Sequence, residues 1–99
     1  MHFLIRCYDG PDSAGPREAH LAAHLAWVKA NQDPLRVAGP VLDADGAMVG
    51  SCYVIEADDL AAARTWFEGD PYAAAGFWER VDITPFMPVA GAWAGGCQW

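Results

Sequence analysis

Basic residues are scarce in this chain: 6 Lys and Arg stand against 13 Asp and Glu, for a formal net charge of -7. They never form a run. Binding to nucleic acid or to an anionic membrane surface neutralises phosphates with clustered Lys and Arg, so the composition argues against both partners. Long apolar stretches are missing as well, and no window approaches the ~18 apolar residues that a spanning helix needs. The three cysteines, Cys7, Cys52 and Cys97, form no C-x-x-C pair and no metal-binding spacing. Dispersed thiols in odd number, with an opening apolar stretch too short for a signal peptide, predict free cysteines in a reducing cytoplasm. No H-E-x-x-H and no G-x-S-x-G occurs, which removes the zinc-peptidase helix and the hydrolase nucleophile elbow from consideration. Neither a nucleotide motif nor a metal motif is present, and the expectation is a protein that works without a cofactor.

What remains is apolar. Of 99 residues, 54% are hydrophobic and 12% aromatic, enough for one globular core and too few residues for a second. Residues 2–8 read as a strand with Phe3, Ile5 and Cys7 on one face and Leu4 and Tyr8 on the other. The stretch Asp9 to Gly15 is rich in turn residues. A helix is expected over Pro16 to Gln32: proline suits a first turn, and Leu21, Leu25 and Val28 recur at helical spacing. Beside that stripe runs another, His20, His24 and Trp27.

A second strand spans Leu35 to Leu42 and carries Pro40, which cannot donate to a ladder and so belongs at a sheet edge. Asp45-Gly46 closes a hairpin, because these residues tolerate positive φ. The third strand, Ala47 to Ala57, is again apolar on both faces. Asp58 is the expected cap of a second helix that ends at Glu68-Gly69. A short helical turn over Pro71 to Gly76 and a fourth strand from Phe77 to Thr84, stopped by Pro85, complete the pattern.

The order β-α-β-β-α-β predicts an α+β, ferredoxin-like domain with a four-stranded antiparallel sheet and both helices on one face. Residues 1–89 form this domain and 90–99 a tail. Apolar side chains on both faces of the first and third strands require a cover for the second face. A second copy of the chain is the favoured cover, giving a homodimer through the sheet face; the tail, with Trp93 and Trp99, is the alternative.

Five residues are candidates for chemistry. His20 lies in the first two turns of the first helix, where the positive dipole end favours a neutral imidazole able to act as a base. His24 follows at i+4, a spacing available to two metal ligands, but no third ligand suggests itself and a metal is not expected. Asp70, before Pro71, is a natural helix cap, and its carboxylate is also of the kind that orients an imidazole. Ser51 is placed to bind a ligand oxygen, and Tyr72 (with Trp66) to line a pocket. For each there is a structural alternative: a boundary histidine, a cap, a small strand residue, core aromatics.

Several motifs together resemble the YciI-like (YCII-related) family: Arg17-x-x-His20-Leu21, Ala38-Gly39-Pro40, Gly50-Ser51, Gly69-Asp70-Pro71-Tyr72 followed by Ala74-Ala75-Gly76, and Thr84-Pro85-Phe86. The resemblance covers about residues 1 to 89. It implies a dimeric α/β-barrel made of two ferredoxin-like halves, and a pocket with a His–Asp pair that would map onto His20 and Asp70. It further implies chemistry like that of a member that dehydrochlorinates a hydroxyhydroquinone, with muconolactone isomerases and small monooxygenases among relatives of the barrel. His24 and the tail after Val89 depart from the pattern. The leading expectation is thus a lyase or isomerase acting on a small cyclic or aromatic molecule. The alternative is a non-catalytic dimeric module that binds a small molecule.

Overall fold

The structure is a computed structural model and describes residues 1–97. The chain runs β1 (His2–Asp9), α1 (Ala14–Ala30), β2 (Leu35–Leu42), β3 (Met48–Glu56), α2 (Leu60–Glu68), α3 (Pro71–Ala75) and β4 (Trp78–Phe86). The four strands form one antiparallel sheet in the order β2-β3-β1-β4. This is the ferredoxin-like α+β fold that the order of elements predicts, with the proline-bearing β2 at an edge.

Alternation along β1 sets the core. Phe3, Ile5 and Cys7 are fully buried, as are Tyr53 and Ile55 on β3, and all face Ala63 and Phe67 of α2. Burying each of the larger side chains contributes about 1.5–3 kcal/mol. The register sets Ile5 opposite both Tyr53 and Ile83, so three strands present apolar groups to the same side. Gly50 is obligatory in this register, because a Cβ there would occupy the space of the Cys7 carbonyl and the Arg6 guanidinium.

The other sheet face carries Leu4, Val54 and Val37 together with Arg6, Tyr8 and Asp82. Its side chains are half-buried or exposed. Arg6 lies 4.2 Å from the centre of the Tyr8 ring, a contact that lets a charged group share an apolar surface. The tail and this face line one cleft. Its short β5–β6 hairpin (Ala90–Gly91 with Gly96–Cys97) brackets a 3₁₀ turn, Ala92–Ala94. Trp93 is 86% exposed and, with Val37, Val54 and Phe86, borders an open cleft of about 830 Å³. Trp99 lies outside the described residues.

Three local expectations need correction. The first helix begins two residues early, at Ala14, where the missing N–H of Pro16 still falls among the unpaired donors of the first turn. Asp59, not Asp58, caps α2, accepting the Ala62 N–H at 2.8 Å. Strand β4 also continues through Pro85 to Phe86. It is an edge strand with its ladder to β1 on one side only, so a residue lacking an N–H is tolerated.

Candidate active site

Asp70 is the centre of a closed hydrogen-bond network. Its fully buried side chain caps α3. Oδ1 accepts the Tyr72 N–H at 2.9 Å, and Oδ2 accepts the Tyr53 hydroxyl at 2.6 Å. His24 Nδ1 lies 2.8 Å from Oδ1 and 3.0 Å from Oδ2. A buried carboxylate is costly unless its lone pairs are filled, and here three donors fill them. Burial raises the Tyr53 phenol above its ordinary range, and the Asp70 charge adds to this. Tyr53 is therefore a fixed neutral donor to Asp70.

The histidine at this carboxylate is His24. The expected pairing of His20 with Asp70 is replaced by a His24–Asp70 pair, and His20 stands exposed one turn closer to the N-terminus. Helical geometry gives the reason. Successive residues advance by about 100°, which puts Arg17, His24 and Val28 within one narrow sector of α1. That sector faces the sheet: Arg17 is buried, and His24 and Val28 are half-buried. His20 lies further round the helix, about 6 Å along the axis from His24. The Tyr72 ring stacks on the His24 imidazole with centroids 3.9 Å apart and planes 3° from parallel. The Tyr72 hydroxyl donates to the Arg17 carbonyl at 3.0 Å. The imidazole is thereby held on its edge by Asp70 and on its face by Tyr72, and Nε2 is the nitrogen left for a ligand.

Arg17 is the second buried charge. Nε donates to Asp9 Oδ2 at 2.7 Å and Nη2 to Asp9 Oδ1 at 2.9 Å, the bidentate fork that a guanidinium makes with a carboxylate. Nη2 also donates to the Gly50 carbonyl at 2.8 Å and to Ser51 Oγ at 3.2 Å. Burial alone would raise the Asp9 carboxyl, but hydrogen bonds from Arg17 and Ser13 and the Arg17 charge bring it below the usual carboxylate range.

These groups meet at a cavity of about 340 Å³ between α1 and the β2–β3 edge. Arg17, His24, Ser51 and Tyr72 form its polar end, and Leu25 and Pro40 are among its apolar walls. Of the sequence candidates, His24, Asp70, Ser51 and Tyr72 come together here; Asp70 lies just beneath the lining, behind His24. His20 and Trp66 do not join them: Trp66 packs against Trp27 instead. Sequence reasoning assigned no role to Tyr53, Asp9 or the Arg17 guanidinium. A charged residue in the angular sector of His24 and Val28 was the available signal, since it demands a buried partner. Among the described residues, no three His, Cys, Asp or Glu side chains converge as metal ligands.

Comparison with known proteins places the chain in a family. The YCII-related domain family matches residues 1–87. Protein YciI of Escherichia coli O6:H1 is 35% identical over 97 residues, covering 90% of this chain and 99% of that protein. An uncharacterised protein of Haemophilus influenzae is 32% identical over the same shares. Among solved structures, the 5-chloro-2-hydroxyhydroquinone dehydrochlorinase TftG of Burkholderia phenoliruptrix AC1100, in complex with 2,5-dihydroxybenzoquinone, superposes with a TM-score of 0.80. It is 31% identical, with 93% of this chain and 97% of that one covered. Rv0793 of Mycobacterium tuberculosis, at 22% identity and a TM-score of 0.54, shares the fold. The chain belongs to the YCII-related family.

Proposed function

We propose that this protein is a cofactor-independent lyase or isomerase in which His24 moves a proton on a small cyclic or aromatic molecule. The carrying observation is the buried Asp70 at 2.8 Å from His24 Nδ1, with Nε2 left for the cavity. In this arrangement Asp70 accepts the Nδ1 proton, fixes the tautomer that exposes a basic Nε2, and stabilises the imidazolium once Nε2 has taken a proton. Dehydrochlorination, the reaction of the similar TftG, removes a proton and a chloride from one ring. A base for the proton is the component His24 would supply. General acid–base catalysis of this kind contributes about 10²–10⁴-fold. Tyr72 and Ser51 complete the pocket as binding groups.

Release of chloride from 5-chloro-2-hydroxyhydroquinone tests the reading. The wild-type protein is expected to release it faster than buffer alone, His24→Gln to lose about 10²–10⁴-fold, and His20→Gln to stay close to wild type. Loss in His20→Gln with retention in His24→Gln, or no acceleration by the wild type, overturns it.

The protein is further inferred to act as a homodimer through the open sheet face. Support comes from the apolar group Leu4, Val37, Val54 and Phe86, which nothing among the described residues fully covers. The mixture of apolar, aromatic and paired charged groups is that of a subunit interface rather than of a wet surface.

A further inference from the structure

We infer that the C-terminal hairpin clasps a second copy of the chain, with Trp93 of each copy seated in the cleft at the end of the other's open sheet face. This clasp presupposes the homodimer reading and adds to it a segment outside the sheet. The YCII-related match ends at residue 87, so the hairpin is an addition to the common domain. Its shape is fixed by pairing and by glycine. Ala90 pairs with Cys97 and Gly91 with Gly96, and Gly91 and Gly95 take φ values of 115° and 86°, which side chains with a Cβ rarely adopt. The 3₁₀ turn between the two short strands holds Trp93 out at 86% exposure, and Met87, on the approach to the hairpin, is 79% exposed. No other large apolar side chain among the described residues is exposed as far. An ordered turn that presents an indole to water is a contact surface waiting for its partner.

Area, charge and shape point to a second copy as that partner. The chain exposes 6226 Å², about 700 Å² more than the roughly 5,500 Å² of an ordinary monomer of its mass. One copy gives up about 800 Å² in a standard protein interface, so the surplus is of the size that a partner removes. Residues 86–97 carry no charged side chain. The open face and its cleft set Arg6, Arg36 and Arg80 against Glu56 and Asp82. With a net charge of -7 for the whole chain, the acidic surplus lies elsewhere, and this is the side on which two copies meet without like-charge repulsion. A twofold contact must also be complementary to itself. Trp93 is a projection, and the cleft of about 830 Å³ beside it, walled by Val37, Val54 and Phe86, is a recess. One patch therefore carries both halves of the contact.

Sedimentation equilibrium of the full chain tests the clasp. Trp93→Ser should weaken association about 30-fold or more, the loss of a buried tryptophan anchor, and Trp93→Phe should stay within about tenfold of wild type. Circular dichroism of both variants should match the wild type, because the indole faces solvent within the subunit. Val37→Ala, in the recess, should weaken association as well. Combined with Trp93→Ser it should cost less than the product of the two single effects, since both residues serve one contact. Association unchanged by Trp93→Ser, or single effects that multiply to within about twofold, overturns the inference. A wild-type protein that is monomeric at micromolar concentration overturns the clasp and the homodimer together. Copies separated by Val54→Lys but not by Trp93→Ser overturn the clasp alone and leave the sheet contact standing.

Discussion

The two faces of the sheet handle polar groups in opposite ways. On the helix-covered face, each polar side chain of the site is locked to named partners: Asp70 to Tyr53, Tyr72 and His24, and Arg17 to Asp9, Gly50 and Ser51. On the open face, Arg6 and Arg80 lie over the Tyr8 ring, and Arg80 pairs with Asp82 at 3.1 Å, close to solvent. The contrast shows where the chain commits its free energy. A covered polar group is stable only within a complete network, and that completeness holds a histidine rigidly enough to do chemistry. The open face sets its charges beside aromatic and apolar side chains close to solvent, which is the mixture behind the proposed contact with a second copy.

Cutting the covered network should give the largest effect. Asp70→Ala leaves the Tyr53 hydroxyl and the Tyr72 N–H without an acceptor, removes the cap of α3, and should cost about 3 kcal/mol in urea unfolding. A cost under about 1 kcal/mol would mean that the network matters little to the fold. On the open face, Val54→Lys puts a charge into the proposed dimer contact of both copies. It should weaken association by about 100-fold or more while leaving the subunit folded; sedimentation equilibrium of the variant beside the wild type measures this. A wild-type protein that sediments as a monomer at micromolar concentration breaks the comparison outright.

Next comes the alkaline limb of stability. Burial, reinforced by the Asp70 charge, pushes the Cys7 thiol up to about 12. Its folded value thus lies above the unfolded one, near ~8.5. The stabilisation is complete below that pH and is lost as pH rises toward the folded value, at up to about 1.4 kcal/mol per pH unit. Cys7→Ala, though less stable near neutrality, should flatten stability between about pH 9 and 10. An unchanged slope in chemical denaturation across that interval would contradict it. Smallest of all, Arg80→Ala on the open face should change subunit stability by no more than about 0.5 kcal/mol.

How much of this was legible beforehand depended on how local each determinant is. The alternation of Phe3, Ile5 and Cys7, the edge proline Pro40 and the Asp70-Pro71 cap are short-range signals, and they placed the sheet, its order and one member of the site. Choosing between His20 and His24 was a different problem. Both lie on the same helix one turn apart, and the choice depends on which sector of α1 turns toward the sheet; the only local hint was the charged Arg17 in the sector of His24 and Val28. Asp9 with Arg17 and Tyr53 with Asp70 are likewise contacts between distant segments, visible only once the sheet brings them together. The Asp58-Asp59 cap and the end of β4 at Pro85 were off by one or two residues for ordinary reasons, since either aspartate can cap and an edge strand tolerates proline.

The proton on His24 tests the central claim without any substrate. In ¹⁵N-resolved imidazole spectra, neutral His24 should carry its proton on Nδ1, held by Asp70, and Asp70→Asn should displace that signal while leaving His20 unmoved. A neutral His24 protonated on Nε2, or a signal indifferent to Asp70→Asn, would contradict the account.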